Sequence, residues 1–173
     1  MNNVVLVIIS VLILLFLGAI FLFYTMKSLR TGVLMKWNDV MDALNLRLDK
    51  IPNLIETVKR FADDKKLFEE LIELRGRLWQ MEDPSKERVH GELEVANKIA
   101  VCLELAQKHP EIQKDTRFLE IKTELKDAIK EVDELTNRYN EKARAFNKKR
   151  EFFLAKPLMM LMGFKRMPVL DFE

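Results

Sequence analysis

Apolar and polar residues follow three patterns along this chain. The first is continuous. Val4 to Tyr24 reads VVLVIISVLILLFLGAIFLFY, and residues 1–26 hold no charged side chain. As a helix this run rises about 31 Å against a hydrocarbon core of about 30 Å, so it predicts a transmembrane helix, with Tyr24 as an interfacial aromatic. A signal peptide would carry a basic leader, a shorter apolar run and a small-residue cleavage site. Met1-Asn2-Asn3 has no charged side chain and no A-x-A site follows the run.

The second pattern is periodic. Trp37, Met41, Leu44, Leu48, Ile51, Ile55 and Val58 recur at spacings of four and three, the heptad signature of a helix facing other helices. Pro52 interrupts the stripe and predicts a bend, because the pattern runs on beyond it. Asp63-Asp64 predicts the N-cap of a second helix with Leu67, Leu71, Leu74, Leu78 and Met81 along one face. Asp83-Pro84 predicts the cap and first-turn proline of a third, with a stripe through Leu93, Ala96, Ala100, Leu103 and Ala106. Asp115 predicts the cap of a fourth, whose stripe runs from Phe118 through Leu125, Ile129, Val132, Leu135, Tyr139 and Ala143 to Phe146. No strand-like alternation competes with these helices.

The expected fold is therefore all-α: one N-terminal transmembrane helix (residues 1–26), then an antiparallel four-helix bundle with two long helices (27–150), then a tail (151–173). Short connections make neighbouring helices antiparallel, so the helix over 27–62 leads away from the membrane and that over 116–150 returns.

Charge sharpens the picture. The net charge is only +2. Residues 27–62 nevertheless carry +3, residues 63–147 carry −4, and residues 148–173 carry +3. The two basic segments are those predicted beside the membrane, where anionic lipid attracts Lys and Arg. Lys27, Arg30 and Lys36 follow the span, which predicts the N-terminus outside and residues 27–173 in the cytoplasm. A near-neutral balance gives no support for a nucleic-acid binder.

The third pattern is the tail. Residues 148–173 interleave Met and Phe with cations. Candidate lipid-facing residues are Lys148, Lys149, Arg150, Phe152, Phe153, Phe164, Lys165 and Arg166. Three uses fit such a segment: sealing the open end of the bundle, lying in the bilayer interface, or offering a Met-rich face to a partner.

Chemistry is sparse. Glu87-x-x-His90 is half of a di-iron carboxylate pattern whose second half is missing, so a solvated helix face is expected. His109 fits a helix end. The single cysteine, Cys102, has no cation or His beside it in sequence and reads as a packing residue; no disulfide can form within one copy. Trp37 and Trp79 read as core or interfacial packing. No phosphate-binding, nucleophile-elbow, zinc-protease or EF-hand pattern is present. No enzyme activity, cofactor or metal is expected.

One block is distinctive. Arg47-Leu48-Asp49-Lys50-Ile51-Pro52-Asn53-Leu54-Ile55-Glu56-Thr57-Val58-Lys59-Arg60-Phe61-Ala62 resembles the signature of the LemA family, a basic residue, then I-P-N-L, an aliphatic, then E-T-V-K. The resemblance continues at Pro110, Phe118-Leu119, Arg138-Tyr139-Asn140, Phe146-Asn147, Phe153, Gly163-Phe164 and Phe172-Glu173, and covers about residues 1–173. Ala128-Ile129-Lys130 and His109 depart from the family pattern. The resemblance implies a prokaryotic single-pass membrane protein with an antiparallel four-helix domain and no established catalytic residues.

The function expected is a membrane-anchored, non-enzymatic scaffold or adaptor, partnered by the lipid bilayer and by a protein not identified from sequence. The alternative is a structural or membrane-shaping protein whose basic, Met/Phe-rich tail binds lipid. Candidate structural or interaction residues are Pro52, Asn53, Glu56, Tyr139, Asn140 and Asn147. Asn53 and Glu56, three apart, share a helix face beside the proline.

Overall fold

The computed structural model describes residues 3–152 and 156–171. Every regular element among them is helical: α1 (Asn3–Asp49), α2 (Ile51–Lys59), α3 (Lys65–Trp79), α4 (Lys86–Gln107), a 3₁₀ turn (Ile112–Lys114), α5 (Thr116–Arg150) and α6 (Lys156–Leu161). The described residues fall into two compact units, one drawn from residues 3–35, 141–152 and 156–167, the other from residues 36–140 and 168–171.

The first helix differs from expectation. The apolar run and the start of the heptad stripe form one uninterrupted helix, α1, which stops at Lys50. There the Lys50 amide donates to the Arg47 carbonyl in a tightened turn and α2 begins. Pro52 then sits in the first turn of α2 and has no N–H for the Leu48 carbonyl four residues back, which accepts from Arg75 Nε at 3.0 Å instead. Lys50 keeps right-handed helical dihedrals, so the chain bends here as expected and does not reverse, and the buried face continues through Leu48, Ile51, Leu54 and Val58.

The larger unit holds a core built from the end of α1, from α2, α3, α4 and the start of α5. Leu48, Leu54, Val58, Leu71, Leu78, Val95, Cys102, Ile112 and Phe118 are all fully buried in it. Burying a side chain of this size stabilises the fold by about 1.5–3 kcal/mol. The cap at Asp64 forms as expected, its carboxylate accepting from the Leu67 amide at 3.1 Å. The cap at Asp115 accepts from the Phe118 amide at 2.9 Å.

Two expectations for α4 need correction. Its cap is Ser85, whose hydroxyl accepts from the Arg88 amide, and not Asp83. Its buried face runs through Arg88, Gly91, Glu92, Val95, Ile99, Cys102 and Ala106. Leu93, Ala96 and Leu103 are only half-buried and Ala100 is exposed. Residues 99–103 are apolar all round the helix, so their spacing leaves the register open, and the face is set by two charged residues.

The smaller unit buries Met26, Val33, Ala143, Phe146, Met159, Phe164 and Met167. The apolar side chains from Val4 to Leu17 stay exposed. Only one helix, near the N-terminus, is long and apolar enough to cross a membrane among the described residues.

Candidate functional site

In the smaller unit α5 holds the tail by side-chain amides. Gly163 takes φ 74°, the left-handed conformation that turns the chain out of α6. Beyond it residues 164–171 have no regular structure, so their backbone polar groups need other partners. Asn147 supplies them for Met167: its Nδ2 donates to the Met167 carbonyl at 2.8 Å and its Oδ1 accepts from the Met167 amide at 2.9 Å. Arg150 Nε donates to the Phe164 carbonyl at 2.6 Å. The Phe164 ring lies between Phe23 and Phe146, with centroids 5.7 and 6.4 Å away.

Phe164 was expected to face lipid and does not. It is buried because it closes an aromatic cluster, and Arg150 is half-buried because it holds the Phe164 backbone. Lys148, Lys149 and Lys165 are exposed, as is Phe152. Arg166 is exposed and pairs with Glu151 at 3.5 Å. Phe153, Phe172 and Glu173 lie outside the described residues.

The larger unit repeats the device. Asn140 Nδ2 donates to the Leu170 carbonyl at 2.7 Å and Oδ1 accepts from the Leu170 amide at 2.8 Å. Tyr139 donates its hydroxyl to the Pro168 carbonyl at 2.9 Å. Burial pushes the Tyr139 phenol up to about 12, so it remains a donor. Its ring meets Trp37 edge-on, centroids 5.9 Å apart, and the Trp37 indole donates to the Glu82 carbonyl. Tyr139, Asn140 and Asn147 are thus tail-holding residues.

Pro52, Asn53 and Glu56 form a separate, exposed group on α2. Glu56 accepts both ends of a fork from Arg117, at 3.2 and 3.1 Å, and so ties α2 to the start of α5. Being exposed, the pair contributes little stability.

A charged cluster was missed by sequence reasoning. Arg47, Arg88 and Glu92 are all buried. Glu92 pairs with Arg47, whose Nη2 also donates to the Glu92 carbonyl at 3.2 Å. Arg88 Nη2 lies 2.6 Å from Glu92 Oε1, an ion pair in a geometry that makes no hydrogen bond. Arg88 Nη1 donates to the Leu78 carbonyl and, at 2.7 Å, to that of Met81. These carbonyls end α3, and the negative end of that helix offsets the second cation. Burial pulls the Arg88 guanidinium below its usual range while Glu92 opposes the shift. The only sequence signal was the Arg88–Glu92 spacing of four, which also describes an exposed helix pair.

The remaining candidates are inert or solvated. Glu87 and His90 are exposed. Among the described residues no group of three acidic, His or Cys side chains could hold a metal ion. Cys102 is buried, and burial pushes its thiol up to about 12. Trp79, unlike Trp37, is 45% exposed, with the Arg75 guanidinium 5.2 Å over its ring.

A family model described as the LemA family matches residues 36–173. The chain belongs to the LemA family. A comparison with curated proteins finds no match. The LemA match starts after the apolar run, so it does not extend to the expected span. Within the block that resembles the LemA signature, Arg47, Ile51, Leu54, Thr57 and Val58 are buried. Most of that signature therefore specifies packing, and Pro52, Asn53, Glu56 and Lys59 are its outward-facing part.

Proposed function

We propose that this LemA-family chain is a single-pass, membrane-anchored scaffold that presents a helical surface to another protein. Its N-terminus lies outside and its charged residues lie in the cytoplasm. The observation that carries the reading is the exposed, uncharged run Val4–Tyr24 at the start of α1. The same helix later buries Trp37, Val40, Leu44 and Leu48 in the larger unit. Removing such a run from water is worth about 25 cal/mol per Å², and a bilayer supplies that environment.

For the presented surface, the best support lies on α3. Ile72 and Trp79 are exposed, seven residues apart, with Arg75 stacked on the indole. Trp and Arg dominate the energetic centres of protein interfaces. No enzymatic role is part of this proposal, since the sequence carries no recognisable catalytic motif.

A photo-crosslinking residue at Trp79, with another at exposed Glu131 as control, tests the scaffold reading in native membranes. One discrete protein adduct at position 79, absent at 131, is expected. Equal adducts at both positions, or none, contradict it.

A second reading, a tail that grips lipid, draws on exposed Phe152, Met160 and Leu161. It is the weaker one, because Met159, Phe164, Met167 and Leu170 are buried. Deleting residues 148–173 and finding vesicle binding unchanged would remove it.

A further inference from the structure

The smaller unit contains a cleft of about 550 Å³ between α1 and α5, within the usual size of ligand sites. Leu22, Met26, Ala145, Phe152, Lys148 and Lys149 line it. Thr25 also lines it, with its hydroxyl already committed to the Phe21 carbonyl at 2.9 Å. The lining is thus mostly apolar and includes two cations. Lys148 and Lys149 have no acidic partner among the described residues, although eleven ion pairs occur elsewhere.

The position of the cleft is as informative as its lining. Leu22 lies two residues before the end of the apolar run at Tyr24. If that run spans a bilayer, the cleft straddles the depth at which acyl chains give way to phosphates. Ala145 precedes Lys148 and Lys149 by three and four residues, so it lies beneath both on the surface of α5. Its single methyl group leaves the room that a longer side chain would fill.

We propose that this cleft binds one anionic phospholipid of the host bilayer. An acyl chain lies on Leu22, Met26, Ala145 and Phe152, and the headgroup phosphate meets Lys148 and Lys149. The proposal rests on the membrane-anchored reading and adds to it a stoichiometric lipid. Diffuse attraction would depend only on the number of cations; a site depends on which cations and on the shape beneath them.

The test is native mass spectrometry of the full chain, released from detergent micelles holding equal phosphatidylglycerol and phosphatidylcholine. One retained phosphatidylglycerol per chain is expected, with phosphatidylcholine lost. Lys148→Gln with Lys149→Gln should weaken retention on the order of tenfold or more, from about 1 kcal/mol per cation. Ala145→Phe should abolish it with charge unchanged. Lys142→Gln with Arg144→Gln, the same charge change outside the cleft, should leave it intact. Circular dichroism confirms that each variant is folded, and the lysine pair decides the question if Ala145→Phe is not. Equal losses from both cation pairs, or equal retention of both lipids, overturn the site. Carbonate extraction of the unaltered chain from membranes separates the two levels. A chain that is extracted ends the anchor reading and the site together. A chain that stays embedded but retains no lipid ends the site alone.

Discussion

Asn147 grips Met167 through both halves of its amide, the Nδ2 donating to the carbonyl and the Oδ1 accepting from the amide. Both residues are buried, so no water replaces a lost partner cheaply. Asn147→Ala should cost about 2–4 kcal/mol, since it strands one buried donor and one buried acceptor of the backbone. A lower melting temperature, with amide exchange accelerating first around residue 167, would report it. Unchanged protection there would mean that the amide does not hold the tail.

Asn140→Ala should act in the same way on Leu170, whose amide and carbonyl it pairs. The corresponding test is limited proteolysis. Faster cleavage near residue 170 is expected at unchanged helix content, and an unchanged digestion pattern would contradict it.

The buried cluster makes the sharpest stability prediction. Glu92→Ala leaves Arg47 and Arg88 buried without their carboxylate and should cost about 3–5 kcal/mol. Adding Arg88→Met to Glu92→Ala should recover part of the loss. Denaturant melts of the four variants of this cycle measure the coupling. Additive effects would show that the two side chains do not act together.

Cys102 offers a readout of global opening. With its thiol pushed up to about 12 by burial, it holds almost no thiolate at neutral pH. Labelling by a maleimide should follow the unfolding of the larger unit and stop in the absence of denaturant. Rapid labelling of the native chain would contradict the burial.

Asp115 should dominate the acid limb of stability near the α5 cap. The Phe118 amide, and then Arg60, hold its carboxyl below the usual carboxylate range. The depressed value means that its contribution is present above the ordinary carboxylate pKa and is lost as pH falls through the lower, folded one. Asp115→Asn, which still caps, should flatten that part of the melting-temperature profile. An identical acid profile would rule Asp115 out as its source.

Much of the fold was legible in the chain. The uncharged run, the heptads from Trp37 to Val58 and the caps at Asp64 and Asp115 rest on local rules that little in tertiary packing overrides. The tail-holding residues were only partly legible. Tyr139, Asn140 and Asn147 stood out through the family resemblance, but a polar residue on a helix does not reveal whether it holds a backbone or faces water. Arg47, Arg88 and Glu92 were invisible for a related reason: charge reads as exposure unless a partner distant in sequence is known. Phe164 failed the opposite way, because an aromatic among cations fits a lipid surface and an aromatic cluster equally well.

The central claim is a chain anchored by Val4–Tyr24 with its charged residues on one side. Cys102→Ala leaves no cysteine, so single cysteines at Asn3 and at Glu131 report each side cleanly. A membrane-impermeant maleimide applied to intact cells should label position 3 and leave position 131 unlabelled until the membrane is opened. Labelling of both positions from outside, or of 131 alone, would contradict the account.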